Sequence, residues 1–145
     1  MTKHNVEEIT LNAKTHSLES VFSKLALSLF EVVVDTQQIK PIITKTIILK
    51  SESLENLLYL FLKKFYELAN KELFLLAVVK RISIERVSDS YLLDAVVVGD
   101  KMNQEYKIKD IVKLVTDRNI KIKEDRGGTY AQINIIVERR AKDEV

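Results

Sequence analysis

The sequence predicts an α+β domain in which a mainly antiparallel sheet packs against two helices in two layers. Two segments have apolar residues at helical spacing, and several others alternate apolar and polar residues as strands do. The chain has 145 residues, of which 46% are hydrophobic, with only 3 Gly and 1 Pro. Such a composition can bury one core and leaves little room for linkers, so we expect one domain over residues 1–137 and a charged tail over 138–145.

The first strand and the first helix follow each other directly. Ile9, Leu11 and Ala13 alternate with polar residues, which is typical of a strand with one buried face. Ser17 is a candidate N-cap, because its hydroxyl can accept a hydrogen bond from a free N–H of the first helical turn. The helix ends at an acidic turn, Asp35 and Thr36, and its apolar stripe consists of Leu18, Val21, Phe22, Leu25 and Leu29.

The rest of the chain predicts one more helix and a series of strands. Ser51 or Ser53 can cap the second helix, whose apolar face extends to Leu68. Gly127 and Gly128 indicate a hairpin turn, because Gly tolerates positive φ. Strands are expected over residues 42–49, 76–87, 91–98, 119–123 and 130–137, where β-branched residues or alternating patterns occur.

Charge and composition exclude several classes of function. The chain carries 23 basic and 21 acidic residues, a net charge of +2, which is too balanced for nucleic-acid binding through bulk charge. The absence of Cys excludes disulfides, zinc–thiolate sites and cysteine nucleophiles. No apolar run reaches the roughly 18 residues that span a bilayer, and no apolar signal region stands at the N-terminus. We therefore expect a cytoplasmic protein with no membrane association.

Five segments match the motifs of one protein family in order and spacing. They are the helix that ends at residues 35–36, the second helix at 54–62, a strand that ends in Gly at 94–99, a segment with Lys and Thr three residues apart at 111–116, and the last hairpin. Over residues 6–137 the chain thus resembles the archease family, the small accessory proteins of an RNA-splicing ligase.

The resemblance implies a role without enzymatic activity of its own. Archeases promote guanylylation and repeated turnover of the GTP-dependent ligase that joins tRNA halves, so the implied partner is that ligase and any RNA association is indirect. The resemblance also implies that Lys113 and Thr116 contact the partner and that Glu8 and Asp35 supply a metal-binding acidic patch. Carboxylate oxygens suit hard cations, and calcium is the implied cofactor.

The chain departs from the family pattern, which leaves alternatives open. Glu8 stands where the family has Asp, and the family's C-terminal carboxylate positions fall at Ile136 and Val137. Glu138 could replace one of them only in a different strand register. The main alternative is a metal-independent binding or chaperone-like protein that keeps the fold without the site. A small hydrolase is a third interpretation, but the chain has no HExxH pattern and no Gly-rich phosphate loop.

Each candidate residue also has a purely structural interpretation. Glu8 suits a solvated strand face, and Asp35 suits a turn or cap, because the helix dipole disfavours an anion at a C-terminal end. Lys113 can be an ordinary lysine that reaches solvent along its apolar stem. The basic residues within 118–126 suit a solvated strand edge, and the helix aromatics are expected in the core: Phe22, Phe30, Phe61 and Phe65.

Overall fold

A computed structural model describes residues 5–140, which form seven strands and two helices; each of the first two strands is followed by a helix, and five strands follow the second helix. The helices are α1 (Leu18–Val33) and α2 (Leu54–Glu72), and a short 3-10 turn over Thr36–Gln38 follows α1. The predicted α+β class with two helices and antiparallel strands is confirmed. The strands are β1 (Asn5–Thr15), β2 (Ile43–Ser51), β3 (Phe74–Val87), β4 (Ser90–Lys101), β5 (Ile111–Val115), β6 (Lys121–Asp125) and β7 (Gly128–Arg139).

The strands divide into two antiparallel sheets, a division that residue alternation does not predict. In sheet 1, β7 is the central strand and pairs with β1 on one side and with β5 and β6 on the other. In sheet 2, β4 lies between β2 and β3. Both helices contact both sheets, since α1 packs against β1 and β3 while α2 packs against β2 and β5.

Both helices begin at the type of cap that the sequence predicts. The Ser20 N–H donates to the Ser17 hydroxyl at 3.1 Å, and the Asn56 N–H donates to the Ser53 hydroxyl at 3.1 Å. Ser53 is therefore the cap of α2, while the Ser51 hydroxyl accepts from the Asn56 side chain. Within residues 5–140, no helix is long and apolar enough to cross a membrane.

Aromatic side chains of the two helices form the centre of the core. The rings of Phe61 and Phe65 lie 4.9 Å apart, and Phe65 meets Phe30 edge to face at 5.8 Å. Phe22 packs on Phe61 at 6.0 Å. All four side chains are buried, so the prediction that the helix aromatics belong to the core is confirmed.

The last hairpin and its register are well defined. β6 and β7 are joined by a two-residue turn at Arg126 and Gly127, as predicted, and the Asp125 carboxylate accepts the Gly127 N–H at 2.7 Å. β7 then pairs along the whole length of β1, which places Glu8 opposite Ile136. The register that the sequence leaves open is thus the one in which an apolar side chain faces Glu8.

β7 continues beyond the boundary that the sequence assigns to the charged tail. Glu138 and Arg139 extend the strand, and Arg139 pairs with Glu7 at 2.5 Å and with Asp110 at 2.9 Å. These ion pairs hold a charged segment in the sheet that composition alone predicts to fray. The remainder of the predicted tail, residues 141–145, lies outside the described part of the chain.

Candidate functional site

Most of the predicted site residues lie on sheet 1, which has an inner face in the core and an outer face toward solvent. The odd-numbered residues of β1 and β7 point inward, as the burial of Leu11 and Ile133 shows. The even-numbered residues point outward, so Glu8 lies on the outer face beside Ile136, with Leu114 of β5 on the other side of Ile136. We call this surface of β1, β5, β6 and β7 the outer face.

A hydrogen-bond network centred on Asn134 holds the Glu8 carboxylate. The Asn134 amide donates to Glu8 Oε2 at 2.6 Å, and the Thr10 hydroxyl donates to Asn134 Oδ1 at 2.8 Å. Arg118 Nη2 donates to the other Glu8 oxygen at 3.5 Å. Asn134 is only 8% exposed, whereas the Glu8 side chain is 37% exposed. Glu8 is therefore a partly exposed carboxylate with one neutral and one cationic donor already in place.

Thr116 lies beneath this network rather than at the surface. It is 4% exposed, and both its backbone N–H and its hydroxyl donate to the Asn134 carbonyl oxygen at 3.0 Å. The side chain therefore anchors the end of β5 to β7. Both hydrogen-bond donors of Thr116 are thus used inside the protein, and the partner contact that the resemblance implies stays a prediction.

Lys113 lies on the outer face at a bulge where the register between β5 and β7 shifts. Its side chain is 52% exposed, and its Nζ lies 3.9 Å from Glu138 Oε1. The bulge adds one residue to β5, so Lys113 and Leu114 are both exposed while Val112 stays buried. Ile111 and Leu114 of β5 and Val6 of β1 form an exposed apolar patch, and these three residues are 39%, 48% and 59% exposed.

Asp35 lies away from the outer face, on the turn that follows α1. Its carboxylate accepts the Gln37 N–H at 3.1 Å and so begins the 3-10 turn. Next to it, the Glu31 carboxylate accepts the Thr36 hydroxyl and the Thr36 N–H, the latter at 2.7 Å. The Thr36 hydroxyl is the main reason why the pKa of Glu31 is lowered. Asp35 thus has the capping role that its structural interpretation expects.

Glu8 and Asp35 lie on different elements of the structure, and the joint metal site that the resemblance implies stays a prediction. Glu8 points outward from β1, Asp35 follows a helix that packs on the inner face, and the two carboxylates share no hydrogen-bond partner. Within residues 5–140, no group of three or more His, Cys, Asp and Glu side chains could hold a metal ion. Glu138 lies opposite Val6 rather than Glu8. The donor geometry does not fit the roughly 6–8 oxygen ligands of calcium, and calcium binding stays a prediction.

Comparison with known sequences identifies the family. A profile of the archease protein family (MTH1598/TM1083) matches residues 8–137, which is most of the chain. The chain belongs to the archease family. Protein archease of Thermococcus kodakarensis is 33% identical over 115 residues, which cover 79% of this chain and 80% of that protein. Protein archease of Saccharolobus islandicus is 31% identical over 122 residues, which cover 83% and 86%.

A solved structure supports the same assignment for the fold of this archease family member. The solution structure of Methanobacterium thermoautotrophicum protein 1598 superposes with a TM-score of 0.75 at 25% identity. The match covers 90% of this chain and 96% of that one. The resemblance that five weak motifs predict is therefore confirmed at the level of family and fold.

Asn134 and Arg118 are the parts of the site that sequence reasoning missed. Asn134 is distant from Glu8 along the chain, and only the pairing of β1 with β7 brings the two together. The available signal was the polar alternation of β7, which predicts an outward Asn134 but not its neighbour. The Arg118 contact requires in addition the position of the loop between β5 and β6.

Proposed function

We propose that this archease family member is an accessory protein of an RNA-splicing ligase. In this role it promotes guanylylation of the ligase and its repeated turnover in tRNA splicing, and the ligase itself carries out the reaction and binds the RNA substrate. Family membership over residues 8–137 supports the proposal. The chemistry of guanylyl transfer stays with the ligase, so the accessory protein needs a docking surface rather than a catalytic centre.

The apolar patch around Lys113 is the docking surface that we propose for the ligase. Exposed apolar side chains that lie together often mark sites of protein contact, whereas isolated ones do not. Here the β1–β7–β5 register brings Val6 and Ile111 to either side of Glu138, with Leu114 one row further along β5. Lys113 adds a cation at the centre, and its 3.9 Å contact with Glu138 is loose enough to be exchanged for a carboxylate of the ligase.

Multiple-turnover RNA ligation by the ligase of the same organism tests the proposal. Added accessory protein should increase the amount of product per ligase several-fold. The double variant Ile111→Ser/Leu114→Ser should lose most of this stimulation, because it removes two exposed apolar side chains of the patch. The matched control is Val78→Ser/Val87→Ser on β3 of sheet 2, whose side chains are similarly exposed at 43% and 45%.

The possible results distinguish the accessory role of the protein from the location of its docking surface. No stimulation by the unmodified chain would refute the accessory role itself. Equal stimulation by both double variants would keep the role and refute the patch as the docking surface. Circular dichroism of all variants checks that a loss of stimulation does not come from unfolding.

A metal-independent mode of action is the second candidate, and the surroundings of Glu8 favour it. The Glu8 carboxylate is already bonded to Asn134 and Arg118, so an incoming cation would have to displace at least one of these donors. Calorimetric titration with calcium, run beside Glu8→Ala, separates the two modes. Binding that disappears in the variant would establish Glu8 as a metal ligand and refute the metal-independent mode. No binding up to millimolar calcium, together with ligase stimulation that persists in a chelator, would establish the metal-independent mode.

A further inference from the structure

The end of the outer face opposite the apolar patch carries a concentrated set of basic side chains. The pairing of β1, β7 and β6 places Lys14, Tyr130 and Lys123 side by side in one row. Lys121 lies on β6 two residues before Lys123, and Arg126 lies in the adjoining turn. We call these four cations, Lys14, Lys121, Lys123 and Arg126, the basic end; all four are exposed.

The cations of the basic end have no ion-pair partner within residues 5–140, where each salt bridge of the structure involves other residues. Asp125 is the carboxylate that shares their surface, and one of its oxygens accepts the Gly127 N–H. The exposed Glu124 lies between Lys123 and Asp125 on β6, and its register opposite the inward-facing Thr129 places it on the other side of that strand. Four cations against these two carboxylates still make a local positive field, although the chain as a whole carries only +2. A field of this kind attracts a polyanion.

An aromatic ring and amide groups lie between the cations. Tyr130 is half-buried, and its hydroxyl donates to Gln132 Oε1 at 2.7 Å. The Gln132 amide donates in turn to the Asn119 carbonyl oxygen at 3.1 Å, which fixes the pair in place. Asn12 lies opposite Gln132 on β1 and is exposed. The basic end therefore offers a ring for stacking and amides for hydrogen bonds as well as positive charge.

We infer that the basic end is a binding surface for single-stranded RNA. Its lysines would contact phosphates, Tyr130 would stack on a base, and the amides would contact base edges. Neighbouring strands lie about 4.8 Å apart and successive outward residues about 7 Å apart, so the surface spans a few nucleotides. Lysines on the edge strands β1 and β6 also discourage edge-to-edge pairing, but that role does not require an aromatic ring on the central strand.

Fluorescence anisotropy with a short labelled single-stranded RNA and the full chain alone tests the inference. Salt dependence is the first readout. Three to four phosphate contacts predict a slope of log affinity against log salt of about −2 to −3, at about −0.7 per contact with single strands. No saturable binding at low salt would overturn the inference.

Two variants and one control identify the surface. Lys14→Ala/Lys123→Ala should weaken binding at least tenfold at low salt and reduce the slope by about 1.4, since two phosphate contacts are removed. The control Lys50→Ala/Lys80→Ala removes two exposed lysines from sheet 2 and should leave both quantities nearly unchanged. Equal losses in the two double variants would show bulk charge rather than a site and would refute the inference.

Substitution of the aromatic ring distinguishes RNA from an acidic protein. Tyr130→Leu should weaken RNA binding about fivefold or more through lost stacking, and Tyr130→Phe should bind within about twofold of the unmodified chain. An acidic polypeptide that binds as tightly as RNA, with no effect of Tyr130→Leu on either, would refute the inference in favour of an acidic protein partner. No ligase is present in this assay, so its failure leaves the ligase proposal intact. The Ile111→Ser/Leu114→Ser variant should bind RNA as the unmodified chain does.

Discussion

Replacing Asn134 with an aspartate is the substitution that tests the outer-face network most sharply. The side chain keeps its shape, but the amide nitrogen that donates to Glu8 Oε2 at 2.6 Å becomes a carboxylate oxygen. The variant therefore loses a hydrogen bond to a charged group and places two anions side by side. Arg118, at 3.5 Å from Glu8, can offset only part of the repulsion, because its side chain is 67% exposed.

The expected cost at neutral pH is about 2–4 kcal/mol of unfolding free energy. A hydrogen bond to a charged group contributes about 1.5–3 kcal/mol. Two like charges about 4 Å apart near a surface repel by up to about 4 kcal/mol, which the exposure of Glu8 reduces. Proton uptake by one of the two carboxylates limits the sum, because a shared proton restores the lost hydrogen bond.

The loss of unfolding free energy caused by Asn134→Asp should be larger at neutral pH than at low pH. In the folded Asn134→Asp variant, repulsion between the introduced carboxylate and Glu8 raises the pKa of this carboxyl pair above its unfolded value. The protonated pair is therefore stable at low pH, and stability is lost as the pH rises through the raised folded pKa. Relative to the unmodified protein, Asn134→Asp should cost most at pH 7 and less than about 1 kcal/mol near pH 4.

Urea unfolding followed by circular dichroism at the two pH values measures this difference. Asn134→Ala is the control, because it loses the same hydrogen bond without adding a charge. The difference in unfolding free energy between Asn134→Ala and Asn134→Asp should become smaller as the pH falls. A cost for Asn134→Asp that is absent at pH 7, or that does not change with pH, would show that Asn134 does not contact the Glu8 carboxylate.

Three further predictions concern stability. Gly99→Ala should cost at least about 3 kcal/mol in thermal unfolding, the upper end of overpacking, because a Cβ would lie 1.9 Å from the Leu75 carbonyl oxygen. Ser17→Ala should cost about 1 kcal/mol in urea unfolding through loss of the α1 cap. Burial raises the pKa of Asp110, but hydrogen bonds from the Arg140 N–H and the Arg139 side chain outweigh it and hold the pKa below its usual range. The stability that Asp110 contributes should therefore be present above about pH 4 and lost as the pH falls further, and Arg139→Ala should reduce this acid-induced loss in urea unfolding.

Each of these has a control within the chain. Gly127→Ala should be nearly neutral, because its Cβ would lie 3.3 Å from flexible side-chain atoms, and an equal cost at Gly127 and Gly99 would contradict the steric argument. Ser28→Ala within α1 removes a hydroxyl without touching the cap, so a cost as large as that of Ser17→Ala would refute the capping role. An acid-induced loss of stability that Arg139→Ala leaves unchanged would show that the guanidinium does not set the Asp110 pKa.

The helices could be predicted from the sequence because their signals are local. Ser17 and Ser53 act on N–H groups three residues away, and the apolar stripes of α1 and α2 follow the helical period. The two sheets could not be predicted, because alternation shows which face of a strand is buried and not which strand lies beside it. β5 has only five residues and a bulge at Lys113, so it carried too little alternation to be recognised as a strand.

The candidate site could be predicted only in part, because some of its contacts are local in sequence and others depend on the pairing of distant strands. The outward position of Glu8 follows from the alternation of β1, but its bond to Asn134 depends on a register set across the whole sheet. Thr116 has the polar side chain of a surface residue, yet the Asn134 carbonyl oxygen takes both of its donors and buries it. Asp35 lies beside the predicted turn, where a neighbouring N–H satisfies its carboxylate locally.

Guanylylation of the RNA-splicing ligase by labelled GTP is the most direct measurement of the proposed role. The ligase–GMP adduct is quantified after one round of ligation, with and without the accessory protein at less than one copy per ligase. The proposed function predicts that the accessory protein restores the adduct and that Ile111→Ser/Leu114→Ser does so poorly. An adduct level that is the same with and without the folded, unmodified chain would contradict it.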